Sequence, residues 1–355
     1  RGEIKMKNNL FNFATSELSQ DAFICWCLNW INYPNENLYS MAKDIFSNLL
    51  EEENIRNIKV EIKRQFRKTD ILVLLKDFNK AYIIEDKTYS SEHNEQIKKY
   101  KEDIETIKKE LKIGIVKTVY FKTGFWFSDD DSVLADIKIN RKEFLDILDK
   151  YKGKNPILDD YCEYFHGVTE QEEKEKNYLI SQEEFRNNNY WYWNMSKSAI
   201  SQYQFIKEIF SKGYIRSGRS IGGGVYTQYD ILKDKVFPDT KGEDLSENKR
   251  KYSVFWRIDT KNKIGVYISL NFYTEHNKGD VKPRCREDEY NKLKDKIKKI
   301  IDDNCSNLQI IECRFYNYWE PNLLIIPLKE YLVSKSECDK LISYIRMISQ
   351  KLKEE

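Results

Sequence analysis

The sequence predicts an α/β protein in two parts. The first is a central mixed β-sheet flanked by helices, and the second is an α+β domain. Three observations carry this expectation. Apolar, β-branched runs at 58–65, 70–75 and 81–87 are too short for helices and are followed by a Lys/Glu-rich helical stretch and one further strand-like run. Between 167 and 177 the chain reads GVTEQEEKEKN, polar and nearly without apolar anchors, which reads as a linker. Later, Val266, Ile268, Leu270 and Phe272 alternate with Tyr267, Ser269, Asn271 and Tyr273, a period of two that marks a half-buried strand. The expected boundaries are 1–167 for the first domain, 168–178 for the linker and 179–355 for the second domain.

Taken in order, Thr15 or Ser16 caps a helix over 17–31 with Leu18, Ala22, Cys25, Trp26 and Trp30 as its apolar stripe. A second helix over 38–52 follows the break at Tyr33-Pro34. Asp77, Phe78, Asn79 and Lys80 form a tight turn between the second and third strands. A helix is expected over 91–111, a strand over 116–123 ending before Gly124, and helices over 141–151 and 157–165. In the second half, Ala199, Tyr203, Ile206 and Phe210 are spaced as a helix face, with Gly213 suited to follow its end. Strands are expected over 254–258, 264–273, 308–316 and 323–328, with helices over 288–302 and from 336 onward.

Bulk composition excludes little but frames the rest. A hydrophobic content of 40% with 14% aromatics suits folded domains, and 355 residues suffice for two cores. The 60 Lys and Arg nearly cancel the 58 Asp and Glu, so a polyanion partner must be met by a local basic surface and not by net charge. No apolar run approaches the ~20 residues that a bilayer-spanning helix needs, and no charged-then-apolar leader is read at the start. The 7 cysteines have no paired spacing, as expected of free thiols in a reducing cytoplasm.

The chemistry concentrates between Thr69 and Tyr100. Asp70 heads the apolar run ILVLL, and Glu85-Asp86-Lys87 closes the run YII. Alternation along a strand puts Glu85 and Lys87 on one face and Asp86 on the other. If the two strands pair as a hairpin, Asp70 reaches the face of Glu85. Two carboxylates and an ammonium at one spot compose a hydrolytic Mg²⁺ site for phosphodiesters. A charged strand face could also be merely solvated, but these flanks read as a central strand, where an unpaired charge is costly.

This arrangement resembles the PD-(D/E)XK nuclease superfamily, the restriction-endonuclease-like enzymes, over about residues 10–150. The resemblance rests on the apolar strand before each acidic residue, the fifteen-residue spacing of Asp70 and Glu85, and the following helix with Gln96 and Tyr100 as Gln-x-x-x-Tyr. Thr69 stands where the family often has Pro, a position at which the family dispenses with it. The resemblance implies a restriction-endonuclease-like core and a Mg²⁺-dependent deoxyribonuclease, with Mn²⁺ able to substitute. It further implies Asp70, Glu85 and the carbonyl of Asp86 as metal ligands, joined by Glu17 from the first helix, and Lys87 beside the attacking water. Gln96 would hydrogen-bond near the metal and Tyr100 would touch a phosphate or a base. Asp21 lies one turn after Glu17 on the same helix face.

The implied partner is double-stranded DNA, as for most relatives, with phage defence or DNA processing as the setting and a homo-oligomer left open. Two alternatives are a ligand-gated nuclease effector and a catalytically silent nucleic-acid-binding module of the same fold. Lys63, Arg64, Arg67, Lys68, Lys98, Lys99 and Lys101 could line a backbone-binding groove, although charge runs are more often solvated faces. Arg216 to Gly224, with three consecutive glycines, reads as a flexible loop and alternatively as an anion cradle. Tyr190 to Trp193 could stack on bases or simply pack, and His93 is a weak candidate near the site. His93, His166 and His276 show no zinc spacing with the cysteines.

Overall fold

The computed structural model describes residues 8–53, 55, 58–67, 69–88, 96–177, 195–213, 215–219, 224–237, 251–261, 264–274, 285–305, 307–316 and 320–354. The chain forms two compact units, Arg1–Glu172 and Glu173–Glu355.

The first unit is built on a five-stranded mixed sheet in the order β1 (Glu61–Phe66), β2 (Thr69–Leu75), β3 (Lys80–Lys87), β4 (Ile115–Lys122), β5 (Ile137–Asn140). The first three strands form an antiparallel meander, and β3, β4 and β5 run parallel. Helices α1 (Glu17–Asn29), α2 (Tyr39–Asn48), α5 (Arg141–Leu148) and α6 (Pro156–Asn177) cover one face, packing Phe23, Phe46, Phe144 and Tyr161 onto Ile71, Val73, Tyr82, Ile84 and Phe121. Helices α3 (Gln96–Glu102) and α4 (Ile104–Leu111) cover the other, where Ile97, Tyr100 and Ile107 meet Leu72, Leu74, Ile83 and Tyr120. The central strands β2, β3 and β4 thus split their side chains between two cores, as their period of two requires.

Several expectations change in detail. Ser16, not Thr15, caps α1, its hydroxyl accepting from Ser19 N–H. The helix expected over 91–111 is two helices in its described part, because Asp103 has ψ near 0 at the junction; Asp favours such ends over helix interiors. The strand β5 was not anticipated: at 4 residues it is too short to show a period. Asn140 ends it and caps α5 through a capping box with Glu143. The division between the units, at Glu172 and Glu173, falls inside the stretch read as a linker, 168–178, but that stretch is helical, as α6 continues through Asn177. Glu, Gln and Lys are good helix formers, and Glu172 is tied to Arg141, so polarity here marks an exposed helix face.

The second unit has an antiparallel sheet in the order β10 (Asn322–Pro327), β9 (Gly265–Thr274), β8 (Lys251–Lys261), β7 (Val225–Val236), β6 (Ile215–Arg219). Its helices are α7 (Ala199–Ile209), α8 (Cys285–Asn304) and α9 (Lys335–Lys353), and Trp256 of β8 donates to Ser349 of α9 at 2.8 Å. Strands β6 and β7 escaped the sequence pattern, since register shifts between Asp230 and Lys235 break the alternation of β7. The run over 308–316 is corrected from a strand to a segment with one bridge, Ile311 to Ile325. The loop reading of Arg216 to Gly224 is also corrected in part. Arg216, Ser217 and Gly218 are paired strand residues of β6, while 220–223 lie outside the described residues. Gly213 sits beyond Phe210, which ends α7, and its φ of +122° fits it against the Tyr229 ring. Among the described residues no helix is long and apolar enough to cross a membrane.

Candidate active site

The β2–β3 hairpin brings the two acidic residues together. Asn79 closes the turn in the left-handed region, φ +51°, and the ladder runs from Leu75 opposite Lys80 to Ile71 opposite Ile84. One step further along the same register, Asp70 stands across from Glu85. Asp70 shares its face with Leu72 and Leu74, and Glu85 shares its face with Ala81 and Ile83, so both carboxyls belong to the α3 side. The Asp70 Oδ2 accepts from the backbone N–H of Asp86 at 2.8 Å. The Asp70 and Glu85 carboxyls are close enough to influence each other electrostatically.

Glu85 is wholly buried and its two oxygens have different donors. Lys87 Nζ donates to Oε1 at 2.5 Å, and the Tyr100 hydroxyl donates to Oε2 at 2.9 Å. Burial raises the pKa of Glu85, Lys87 pulls it back and Asp70 adds to the rise. Burial likewise raises Asp70 against the opposing pull of the Asp86 N–H and Lys87. Burial works to lower Lys87, but Glu85 beside it overrides this, and the ammonium ends above its ordinary value. The pair of carboxyls therefore holds a proton readily, while Lys87 remains a cation at neutral pH.

Tyr100, for which the resemblance implied a phosphate or base contact, has its hydroxyl on the Glu85 carboxylate. Gln96 opens α3, half-buried, one turn before Tyr100 and on the same side of the helix. Asp86 is fully buried on the opposite face of β3, as alternation requires, and burial and then Asp21 push its carboxyl well above the usual range. From α1, Glu17 is exposed but acts electrostatically on Asp70, Asp86 and Lys87. Asp21, ranked below Glu17 by sequence, is the buried one, with Arg64 Nη2 at 3.9 Å. Burial, then Asp70, lifts its pKa from 3.8 to about 7 against the pull of Arg64.

That shift has a measurable sign. A carboxyl with a raised native pKa adds stability in full below its unfolded value, and loses it as pH climbs through the native one. In EDTA, Asp21→Asn is therefore expected to gain stability relative to wild type between about pH 5 and 8, read as Tm, with a ceiling of about 3 kcal/mol in that window. Thermal melts at the two pH values check this, and an offset that does not change with pH contradicts it.

The basic residues around the site are mostly engaged. Lys63 pairs with Glu61 at 2.8 Å, Lys101 with Asp136 at 2.7 Å, Arg67 with Glu110, and Arg64 donates to Leu18 O at 3.1 Å. Lys98 and Lys99 are exposed on α3. In the second unit Arg216 lies 3.7 Å from Asp230. Lys68, His93 and Tyr190 to Trp193 lie outside the described residues.

One pair was missed. Lys122 and Asp130 form a fully buried ion pair at 2.5 Å, and Asp130 also accepts from Tyr120 at 2.6 Å and from Phe127 N–H at 2.8 Å. Lys122 is the register partner of Lys87, so this network fixes the loop after β4 beside the site. The only signal was a lysine inside the apolar run VYFK.

Among the described residues no three His, Cys, Asp or Glu side chains form a metal-holding group. Two adjoining carboxyls still suit Mg²⁺, which takes one or two carboxylates and keeps waters in its remaining positions. Comparison with protein-family models, curated proteins and solved structures gives no match.

Proposed function

We propose that the first unit is a Mg²⁺-dependent nuclease of the restriction-endonuclease-like type, hydrolysing phosphodiester bonds of DNA, in phage defence or DNA processing. The observation that supports it most is the set Asp70, Glu85, Lys87 and Tyr100, assembled on one face of a hairpin and an adjoining helix. Charged groups in so buried a place are costly, and such cost is typical of functional sites.

Asp70 and Glu85 would hold Mg²⁺ or Mn²⁺, whose chemistry when bound is to neutralise phosphate charge and make water more acidic. Lys87, kept cationic by Glu85, offsets charge developing on phosphorus instead of acting as a base. With a divalent ion bound, both carboxyls would be ionised and serve as its ligands. Tyr100 holds Glu85 in position through its hydroxyl. Asp86 N–H does the same for Asp70.

The test is incubation of supercoiled plasmid and linear duplex with the full-length protein in Mg²⁺ and in EDTA. The proposal expects cleavage in Mg²⁺, retained in Mn²⁺ and absent in EDTA. Equal cleavage in EDTA, or none under any divalent cation, overturns it.

A further inference from the structure

The end of β3 carries two interleaved sets of polar groups. Glu85 and Lys87 belong to the α3 side. Asp86 alternates with them and belongs to the α1 side, where Tyr82 and Ile84 of the same strand pack, and Thr88 follows directly after the end of the strand. Thr123 is the neighbour of Thr88, because the parallel ladder pairs Lys87 with Lys122 and Thr123 N–H donates to Lys87 O at 3.0 Å. Helix α1 packs on this face and contributes Asp21.

These four residues are buried, and five of their side-chain oxygens have no hydrogen-bond partner. They are both carboxylate oxygens of Asp86, Oδ1 of Asp21 and the hydroxyls of Thr88 and Thr123. Asp86 and Thr123 are 0% exposed and Thr88 5%, so bulk water does not satisfy them. Of the nearby guanidiniums, Arg141 goes to Glu172 and to the Thr123 carbonyl, and Arg64 bonds Leu18 O while standing 3.9 Å from Asp21 Oδ2, so neither reaches the five oxygens. Leaving so many buried oxygens unpartnered is expensive, and two carboxylates at one place more so.

The donor set points to the occupant. It is all oxygen, with two carboxylates and two hydroxyls, and such sets select hard cations over soft ones. Once both carboxyls give up their protons to it, their two charges favour a divalent ion. Asp21 is also within electrostatic reach of Asp70 and Glu85. We propose that Asp21, Asp86, Thr88 and Thr123 hold a divalent hard cation on the α1 side of β3, the face opposite to that of the Asp70–Glu85 pair. With two carboxylates it is not a three-acid centre, and the cation joins α1 to the ends of β3 and β4. This site does not depend on whether the first unit cleaves DNA.

The test counts bound Mn²⁺ by electron paramagnetic resonance on full-length protein stripped with EDTA, with Tm read in parallel. Glu85→Gln disables the α3-side pair and is expected to keep one Mn²⁺ per chain and a Mn²⁺-dependent rise in Tm. Adding Asp86→Asn to it should abolish both. Adding Thr123→Val, which preserves volume, should weaken the remaining Mn²⁺ by about tenfold. In EDTA neither added change should lower Tm, since Asp86→Asn exchanges one unpartnered oxygen for an amide N–H that can donate to its neighbours and Thr123→Val removes one unpartnered oxygen; Thr123→Val decides the matter if Asp86→Asn fails to fold. Unchanged Mn²⁺ binding in both double variants overturns the proposal, as does Glu85→Gln protein that binds none, and the oxygens then hold water. A wild type that cuts no DNA yet gives the expected counts overturns only the nuclease reading.

Discussion

Lys87→Ala is expected to lower the rate of DNA cleavage by roughly 10²–10³-fold, the usual loss when one charge-stabilising donor is removed from a buried site. The loss runs through Glu85. Lys87 donates to one of its oxygens and Tyr100 to the other, while Asp70 stands across the hairpin. Without the ammonium, Glu85 has lost its largest opposing influence to burial and holds its proton more tightly. The variant then lacks both the cation near phosphorus and an ionised carboxylate. Lys87→Arg is not expected to restore the rate, because a planar guanidinium cannot replace a point charge in this buried contact. Asp70→Ala should lose more, since it removes a proposed ligand outright. Single-turnover cleavage of a labelled duplex measures all three, with Tm confirming that each variant folds. Full-rate cleavage by Asp70→Ala or Lys87→Ala removes these residues from the reaction.

Asp130→Ala is expected to be the most destabilising of these substitutions, at about 3–5 kcal/mol. Lys122 and Asp130 are both fully buried, and Asp130 also accepts from Tyr120 and Phe127. Removing the carboxylate takes one acceptor from a buried ammonium, a hydroxyl and a backbone N–H together. Burial already lowers the Lys122 pKa, so the variant relieves part of the cost by losing the Lys122 proton. The double variant Lys122→Met/Asp130→Leu removes both charges and should cost clearly less than Asp130→Ala alone. Urea melts of the two variants check the order; a double variant as unstable as the single one contradicts it.

What the sequence revealed depended on how far each signal was local. Ser16 and Glu17 at the start of α1, the turn at Asn79 and the alternation of β9 depend on neighbours within a few residues. The face shared by Glu85 and Lys87 follows from strand period alone, and Asp70 joined it once the hairpin was assumed. The unseen features depended on packing. β5 is too short for a period, β7 is interrupted by register shifts, and α6 is polar because it is exposed, not because it is unfolded. Glu17 and Asp21 sit on one helix face, and nothing local says that Asp21 is the buried one. The partnership of Lys122 with Asp130 closes a loop whose path no spacing rule encodes.

The reading as a whole turns on whether the Asp70–Glu85 pair draws a divalent cation into hydrolysis. The most direct measurement is cleavage of one labelled DNA duplex as Mg²⁺ is titrated, with wild type and Glu85→Gln side by side. Wild type should cut in proportion to a saturable Mg²⁺ dependence, and Glu85→Gln should stay inert at every concentration. If the variant follows the wild-type curve, the carboxyl pair has no part in catalysis and the account is wrong.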